Sequence, residues 1–522
     1  MIALILGVIS HEVKPRARVP GPGPRHFFVD CSRRRDGDGS GSRPWNNLRR
    51  ANRVSLAAGS SLLLQRGSIC HGFLSPRGSG RPGALIVIGA FGRGPLPRIE
   101  TNGSSPDAVR IADESYIVVQ DLDLTNRGDY LSARRGVHVV ADRAGTVRGV
   151  VIRRLHVHDV QGSDAKDLGG SGGIQVDAPT AGVFIADNLV ENVNRSGIWV
   201  AGTGADPRPP AGAPWPSATT GVVIAGNTVL RMGGDGIVPT GTLGAVVADN
   251  VVCCGNLGGT PAIQSDAGIW TFNSDGTVID GNEVYGMRNG RSDGTGYDID
   301  YNQDGTIVQS NYGYNNAGGF MLLCSSVGHR TAEVRFNLSV DEYVFDQAPC
   351  GVRPSPADTL TGVRVYNNTF VTATSRIRHD GVVAVHVLPQ AGGFQFFNNI
   401  VYATRRQSSP FPCGRHCVAN LFWRLPPSGA RTIHADPRFV SGRAAGGSRL
   451  RAAAGFELRR GSSAVGAGVR VVASGATDFF GNAIGMPPTI GFYQPREGLP
   501  GSRPARCRRR SCASFRSAER MF

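Results

Sequence analysis

The chain has 522 residues, of which 72 are glycine and 18% are charged, with a formal net charge of +16. Glycine at almost twice the ordinary ~7% and so few charges exclude a helical bundle and point to a turn-rich, all-β chain. Lys14 and Lys166 are the only lysines, so the positive charge is nearly all arginine. That bias reads as a coding preference rather than a phosphate-binding design, and no nucleic-acid partner is expected.

In chain order, Met1 to Ser10 is apolar but too short to span a bilayer, and it lacks a basic start and a clear cleavage site. Residues 1–25, rich in proline and arginine after position 11, read as a leader that includes the remnant of a signal segment. Residues 26–30 are a short β-type run, 44–52 suit about two helical turns opened by Pro44, and 61–65 and 84–88 are apolar runs bounded by glycine.

From residue 149 a template recurs: a glycine, an alternating apolar pair, and an asparagine six residues after the glycine. It occurs at Gly182/Asn188, Gly221/Asn227, Gly244/Asn250, Gly276/Asn282, Gly305/Asn311, Gly362/Asn368 and Gly393/Asn399, with imperfect copies at Gly149/Leu155 and Thr331/Asn337. Steps of 23 to 39 residues between copies predict a short coil with irregular loop insertions. A propeller blade needs four strands in ~40–45 residues, which the shortest step cannot hold. The pattern predicts an all-β fold, a single right-handed parallel β-helix with a short N-terminal helical cap. Asparagines at equivalent bends are expected to stack as an amide ladder.

A second strand follows each asparagine turn: Ser196-Gly197-Ile198-Trp199, Asp235-Gly236-Ile237-Val238, Ala267-Gly268-Ile269-Trp270, Gly296-Tyr297-Asp298-Ile299 and Gly318-Gly319-Phe320-Met321. These are expected on one sheet, with Asp235, Asp266, Asp298 and Asp300 near one another. The domain is expected to span 26–495, as a cap and first turns (26–130), central turns (131–425) and C-terminal turns (426–495). Residues 496–522, with Arg508-Arg509-Arg510, read as a basic disordered tail. Ten cysteines without paired Cys-x-x-Cys motifs argue for bridges in an oxidising compartment rather than structural zinc. Cys31–Cys70 is the expected pair, and Cys253-Cys254 reads as containing a buried thiol rather than a strained ring.

The chain resembles the bacterial right-handed parallel β-helix proteins of the pectate-lyase-like superfamily over about residues 26–495. Three regions carry the likeness. They are Phe28-Val29-Asp30 with Trp45 and 62–67, the Gly/Asn turns, and a closing set of Ala435-Asp436-Pro437, 461–468 and Asp478-Phe479-Phe480-Gly481-Asn482. The resemblance implies an extracellular or surface protein, a monomer with no membrane span, whose partner is a polysaccharide, most simply an acidic one. It also implies β-elimination, in which calcium neutralises a uronate carboxylate and a lysine or arginine removes the adjacent proton.

Asp266, Asp298 and Asp300 are the expected Ca²⁺ ligands. Lys166 in a polar insertion and Asp235 are the catalytic candidates, and Trp270, Tyr301 and Arg288 the substrate-binding ones. Asp300-x-Asn302-x-Asp304-Gly305 lacks the twelfth-position glutamate of an EF-hand, which is rejected. His156-Val157-His158-Asp159 puts two imidazoles on one strand face, but with no third ligand evident it reads as core or groove lining. A hydrolase pairing Asp235 with Asp298 or Asp300 and a non-catalytic polysaccharide-binding protein are the alternatives.

Overall fold

The computed structural model describes residues 23–495, apart from residues 130, 144, 166–169, 203–218, 258–265, 289–293, 301, 325–330, 343, 349–361, 373–392, 445 and 472–476. The expected leader up to residue 22 and the basic tail from residue 496 lie outside the described residues.

Successive strands distribute themselves over three sheets. In one coil Val147–Arg153 joins the first sheet, His156–Val160 the second and Gly172–Asp177 the third, after which Thr180–Ala186 returns to the first. Each strand pairs in parallel with its counterparts in the coils before and after, as Val150 does with Val183 and with Ile117. Alternation sends every second side chain inward. The interior is therefore a column of fully buried Val, Ile and Leu, including Ile152, Val157, Ile174, Ile185, Val190 and Ile198.

Two devices fix the coil. The first is an asparagine ladder of nine residues: Asn188, Asn227, Asn250, Asn282, Asn311, Asn337, Asn368, Asn399 and Asn420. Each Nδ2 donates to the next Oδ1 at 2.8 to 3.2 Å. Each Oδ1 also takes the preceding asparagine's backbone N–H, and each Nδ2 reaches a carbonyl one coil back, as Asn227 does to Ile185 at 2.9 Å. Every rung is immediately preceded by a residue in the left-handed region, from Asp187 (φ 56°) to Ala419 (φ 52°). Leu155 ends the ladder, its N–H still bound to Asn188 Oδ1.

The second device is a glycine column at the entrance to the third sheet. A Cβ built on Gly173, Gly197, Gly236 or Gly268 would stand 2.2 to 2.4 Å from a valine Cγ1 of the second sheet (Val190, Val229, Val252 and Val284 respectively). The Gly-Ile pairs of the repeat are thus a steric requirement: the cross-section there has no room for a methyl group.

The ends are sealed differently. At the N-terminus His26–Val29 pairs with Ser61–Gln65, Trp45 stacks on Phe27, and Cys31–Cys70 closes the cap. The helix is shorter than expected, Leu48–Ala51, because the Asn47 side chain caps it at Arg49 N–H. At the C-terminus the coils stop after Ile433–His434. The rest folds back over the outer face of the second sheet, placing Phe439, Phe456, Phe479, Ile490 and Phe492 on Tyr312, Leu338, Val371, Ile400 and Leu421. Much of the segment expected as further turns is therefore a lid on that sheet.

Besides the cap's bridge, Cys413 and Cys417 are bonded to each other. Cys253 and Cys254 are also bonded to each other, against the expectation of a free thiol. The chain turns out of the second sheet at Cys254 (φ 61°), which breaks the alternation that would have separated the sulfurs.

Asn282→Leu leaves Asn250 Nδ2 and N–H without their shared acceptor and should destabilise by about 3 kcal/mol. Gly197→Ala should cost about 1–3 kcal/mol or more through overpacking, whereas Gly446→Ala, which meets nothing within 4 Å, should change stability by less than ~0.5 kcal/mol. Urea midpoints of the three variants check the set.

Candidate functional site: an aromatic cleft on the third sheet

Outward positions of the third sheet line up across the coils. In register run Arg110, His138, Gln175, Trp199, Val238, Trp270 and Asp298, Val238 meeting Trp270 through the Ile237–Ile269 pairing. A cleft of about 360 Å³ opens over this row, lined by Gln175, Asp177, Arg195, Trp199, Trp270 and Phe272, with Gly170, Ser171 and Ser196 at its rim. Trp270 and Phe272 alternate out of one strand and stack at 5.2 Å; Trp199 meets Trp270 edge-on at 6.1 Å. Such a cluster of rings on an outer sheet face has nothing of the interior to pack against.

Behind the rings lies a buried charge triad. Arg195 Nη2 donates to Asp235 Oδ2 at 2.5 Å and Nη1 to Asp266 Oδ1 at 2.6 Å, with both carboxylates fully enclosed. Burial opposes the guanidinium's charge, but the two acids prevail and raise its pKa. Asp235 Oδ1 accepts the Trp270 indole N–H at 2.8 Å and the Ala267 N–H at 3.1 Å. The triad therefore sets the angle of Trp270. Arg195 itself holds a left-handed backbone (φ 58°), pinned through its N–H to Asp164 Oδ1 at 2.8 Å.

On the other flank a second network surrounds His138. Its ring nitrogens lie 3.1 Å from Asp107 Oδ2 and 3.0 Å from Asp177 Oδ2. Arg135 joins Asp107 to Gln175, and Gln175 Nε2 donates to Asp177 at 2.7 Å. Burial disfavours the imidazolium, yet hydrogen bonds to Asp107 and Asp177 outweigh it and lift the His138 pKa above 6.5. Burial likewise opposes the Asp107 carboxylate, and His138 with Arg135 and Arg110 outweighs it and holds its pKa below 3.8.

The residues singled out in the sequence are placed as follows. Asp235, Asp266, Trp270, Asp298 and Asp300 do gather on this face, but in different roles. Asp235 has both oxygens engaged and no exposure, so it supports Trp270 instead of reaching a substrate. Asp266 faces Arg195 and stands four residues ahead of Trp270, the register partner of Asp298. That spacing is on the order of 10 Å along the strand, against ~5 Å across a calcium ion. Asp266, Asp298 and Asp300 therefore do not fit as one calcium site.

Tyr297, not Asp298, takes the inward position opposite Ile269, and its hydroxyl donates to the Asn282 and Tyr312 carbonyls. Asp298 thus stands outward beside Trp270, and Asp300 follows two residues on past Phe272. Arg288 is exposed, away from the cleft lining. Lys166 and Tyr301 lie outside the described residues. Tyr312 and Tyr314 pack under the C-terminal lid.

Gln175 and Asp177 were missed, although Gly172-Gly173-Ile174 carries the Gly-Ile signal that marks the neighbouring strands. His138 gives no sequence signal of its own, since its partners Asp107 and Asp177 come from coils 31 and 39 residues away.

No protein-family model matches the chain. A lacto-N-biosidase of Bifidobacterium longum subsp. longum is 26% identical over 435 residues, covering 64% of this chain and 26% of that protein, so the chain spans about a quarter of its curated relative's length. The native crystal structure of GH136 lacto-N-biosidase from Eubacterium ramulus aligns with a TM-score of 0.59 at 23% identity, over 71% of this chain and 66% of that one. Its selenomethionine derivative gives a TM-score of 0.58 at 21% identity, over 79% and 68%. The chain has a right-handed parallel β-helix fold. The three parallel sheets and the ladder are the features of this chain that express it. Among the described residues no helix is long and apolar enough to cross a membrane.

The His138 network gives a signed pH dependence. A raised folded-state pKa stabilises fully below the unfolded value near 6.5, and the contribution fades as pH rises through the higher folded value. From about pH 6 to about pH 9 the wild-type urea midpoint should fall more than that of His138→Gln; parallel titrations measure the difference.

Proposed function

We propose that this chain is a carbohydrate-active protein that binds a glycan along the outer face of the third sheet and cleaves it hydrolytically. The observation that carries the reading is the cleft of Trp199, Trp270 and Phe272, with one tryptophan braced by a buried acid and with carboxylates on both sides. Pyranose rings present apolar C–H faces that pack on aromatic rings, while their hydroxyls need polar groups at the edge. Gln175, Asp177 and Ser196 supply that edge.

For cleavage, Asp298 and Asp300 are the pair of choice. They leave the same side of one strand about 7 Å apart by backbone rise, within the range over which two carboxyl groups flank a glycosidic bond. One protonates the leaving oxygen; the other acts on the anomeric carbon directly or through water. Asp298, almost fully buried beside Trp270, takes the acid role. Asp300, half-buried, takes the second role. The lacto-N-biosidase likeness supports a hydrolase over a lyase. Disulfides at Cys31–Cys70 and Cys413–Cys417 support an extracellular or cell-surface setting.

The test is an incubation of the full chain with a lacto-N-biosidase substrate and a panel of neutral and uronate glycans, with and without calcium. Release of reducing sugar without unsaturated uronate supports the proposal. Unsaturated uronate that requires calcium would replace it with β-elimination, and binding without turnover would replace it with a lectin-like role. Asp298→Asn and Asp300→Asn should each lower kcat by about 10²–10⁴-fold with little change in binding. Trp270→Ala should weaken binding about tenfold or more while Phe184→Ala, on the first sheet's outer face, leaves it unchanged; isothermal calorimetry separates these effects.

A further inference from the structure

The second sheet carries a cluster that the glycan site does not use. His156 and His158 alternate out of His156–Val160, and Asp123 stands opposite His156 in the strand one coil earlier. One ring nitrogen from each histidine and one Asp123 oxygen all lie within 4.8 Å of one another. The third ligand that the local sequence lacks thus comes from 33 residues upstream.

We propose that Asp123, His156 and His158 form a three-ligand binding site for a divalent transition metal of the zinc class. His158 Nε2 is 3.0 Å from Asp123 Oδ1. Side-chain adjustments bring one nitrogen of each imidazole and one Asp123 oxygen to the ~2.0–2.2 Å bonds of a tetrahedral ion, whose fourth position is left to water. Two imidazoles with a carboxylate select zinc, nickel or copper over calcium.

An outer shell is already built. Asp159 Oδ2 lies 3.1 Å from His158 Nδ1 and fixes which nitrogen faces the ion, the carboxylate–histidine–metal arrangement. Arg127 and Asn192 hold Asp159 in turn. Arg98 Nη2 binds Asp123 Oδ2 at 3.1 Å, while Arg98 Nε, at 3.2 Å from Oδ1, would yield that oxygen to the ion. Glu191 Oε1 lies 2.9 Å from His156 Nε2 and orients that ring, and Arg231 holds the other oxygen of Glu191.

The two imidazole rings stack with centroids 4.2 Å apart. The donors belong to two successive coils, so the ion would clasp Asp123–Asn126 and His156–Val160 together on the second sheet, whereas the cleft lies on the third.

The full chain, stripped with a chelator, is titrated with Zn²⁺ and with Co²⁺ at neutral pH. The expected result is one tight site, visible Co²⁺ ligand-field bands of low coordination number, and a thermal midpoint raised by Zn²⁺. His156→Ala/His158→Ala and Asp123→Asn should lose at least about 100-fold in affinity and Asp159→Asn about 10–100-fold, while His138→Ala retains it. Circular dichroism and the metal-free urea midpoint confirm that each variant is folded. Absence of Zn²⁺ binding by the wild type, or an affinity unchanged in the folded double variant, overturns the site.

Discussion

The coils from Asn188 to Asn420 depend on an amide that must find an acceptor at one height. Asparagine alone carries two donors and one carbonyl on a side chain short enough to sit inside a bend, and the ladder uses all of them. A bend of this kind buries main-chain groups that a sheet would otherwise satisfy, so the amide stack substitutes for the missing ladder bonds. Because each rung fixes the height of the next, strands on all three sheets inherit a common register. Loops of any length can then leave at the corners without shifting the stack. The cleft follows from this: Gln175, Trp199 and Trp270 are separated by long insertions in sequence but stand in one row because their coils are locked.

Cleft and interior are also coupled through the glycine column. At the entrance to the third sheet the backbone runs against the valines of the second, and nothing larger than hydrogen fits. This close approach forces the preceding residues, Arg195, Asp235 and Asp266 among them, into the tight corner where their charges meet. The buried ion triad is costly to desolvate and does not serve compaction alone. Its geometric product is a fixed indole, through the bond from Trp270 to Asp235.

The fold was largely legible in the sequence, and the site only partly. Glycine and asparagine at a six-residue spacing are local signals, and they located eight of the nine rungs; Gly414/Asn420 obeys the same rule and was overlooked. The acidic and aromatic residues of the cleft could be assigned to one sheet, but not to their partners. Asp235 reads as a free acid until Arg195, forty residues earlier, is seen to occupy it. Register was the other obstacle: a one-residue shift decides whether Tyr297 or Asp298 faces out, and only the pairing with Ile269 settles it. The C-terminal lid was misread as more coils because its apolar residues follow the same composition. Their target, the outer face of the second sheet, is assembled from separate coils between Tyr312 and Leu421.

That lid changes the mechanics of the molecule. A solenoid is ordinarily a one-dimensional stack whose last unit can peel away, leaving the next one exposed. Here Asn367 Nδ2 donates to the Thr489 and Gly491 carbonyls, Asn398 bonds both N–H and carbonyl of Val469, and Arg449 reaches back to the Ser310 carbonyl. The segment that follows the last coil is thus riveted to coils well inside the stack. Fraying from that end cannot proceed one coil at a time, since releasing the terminal strand alone frees little chain entropy while the strap still holds its neighbours. The C-terminal half should open as a block or not at all, and a linear repeat acquires the all-or-none character of a globular domain.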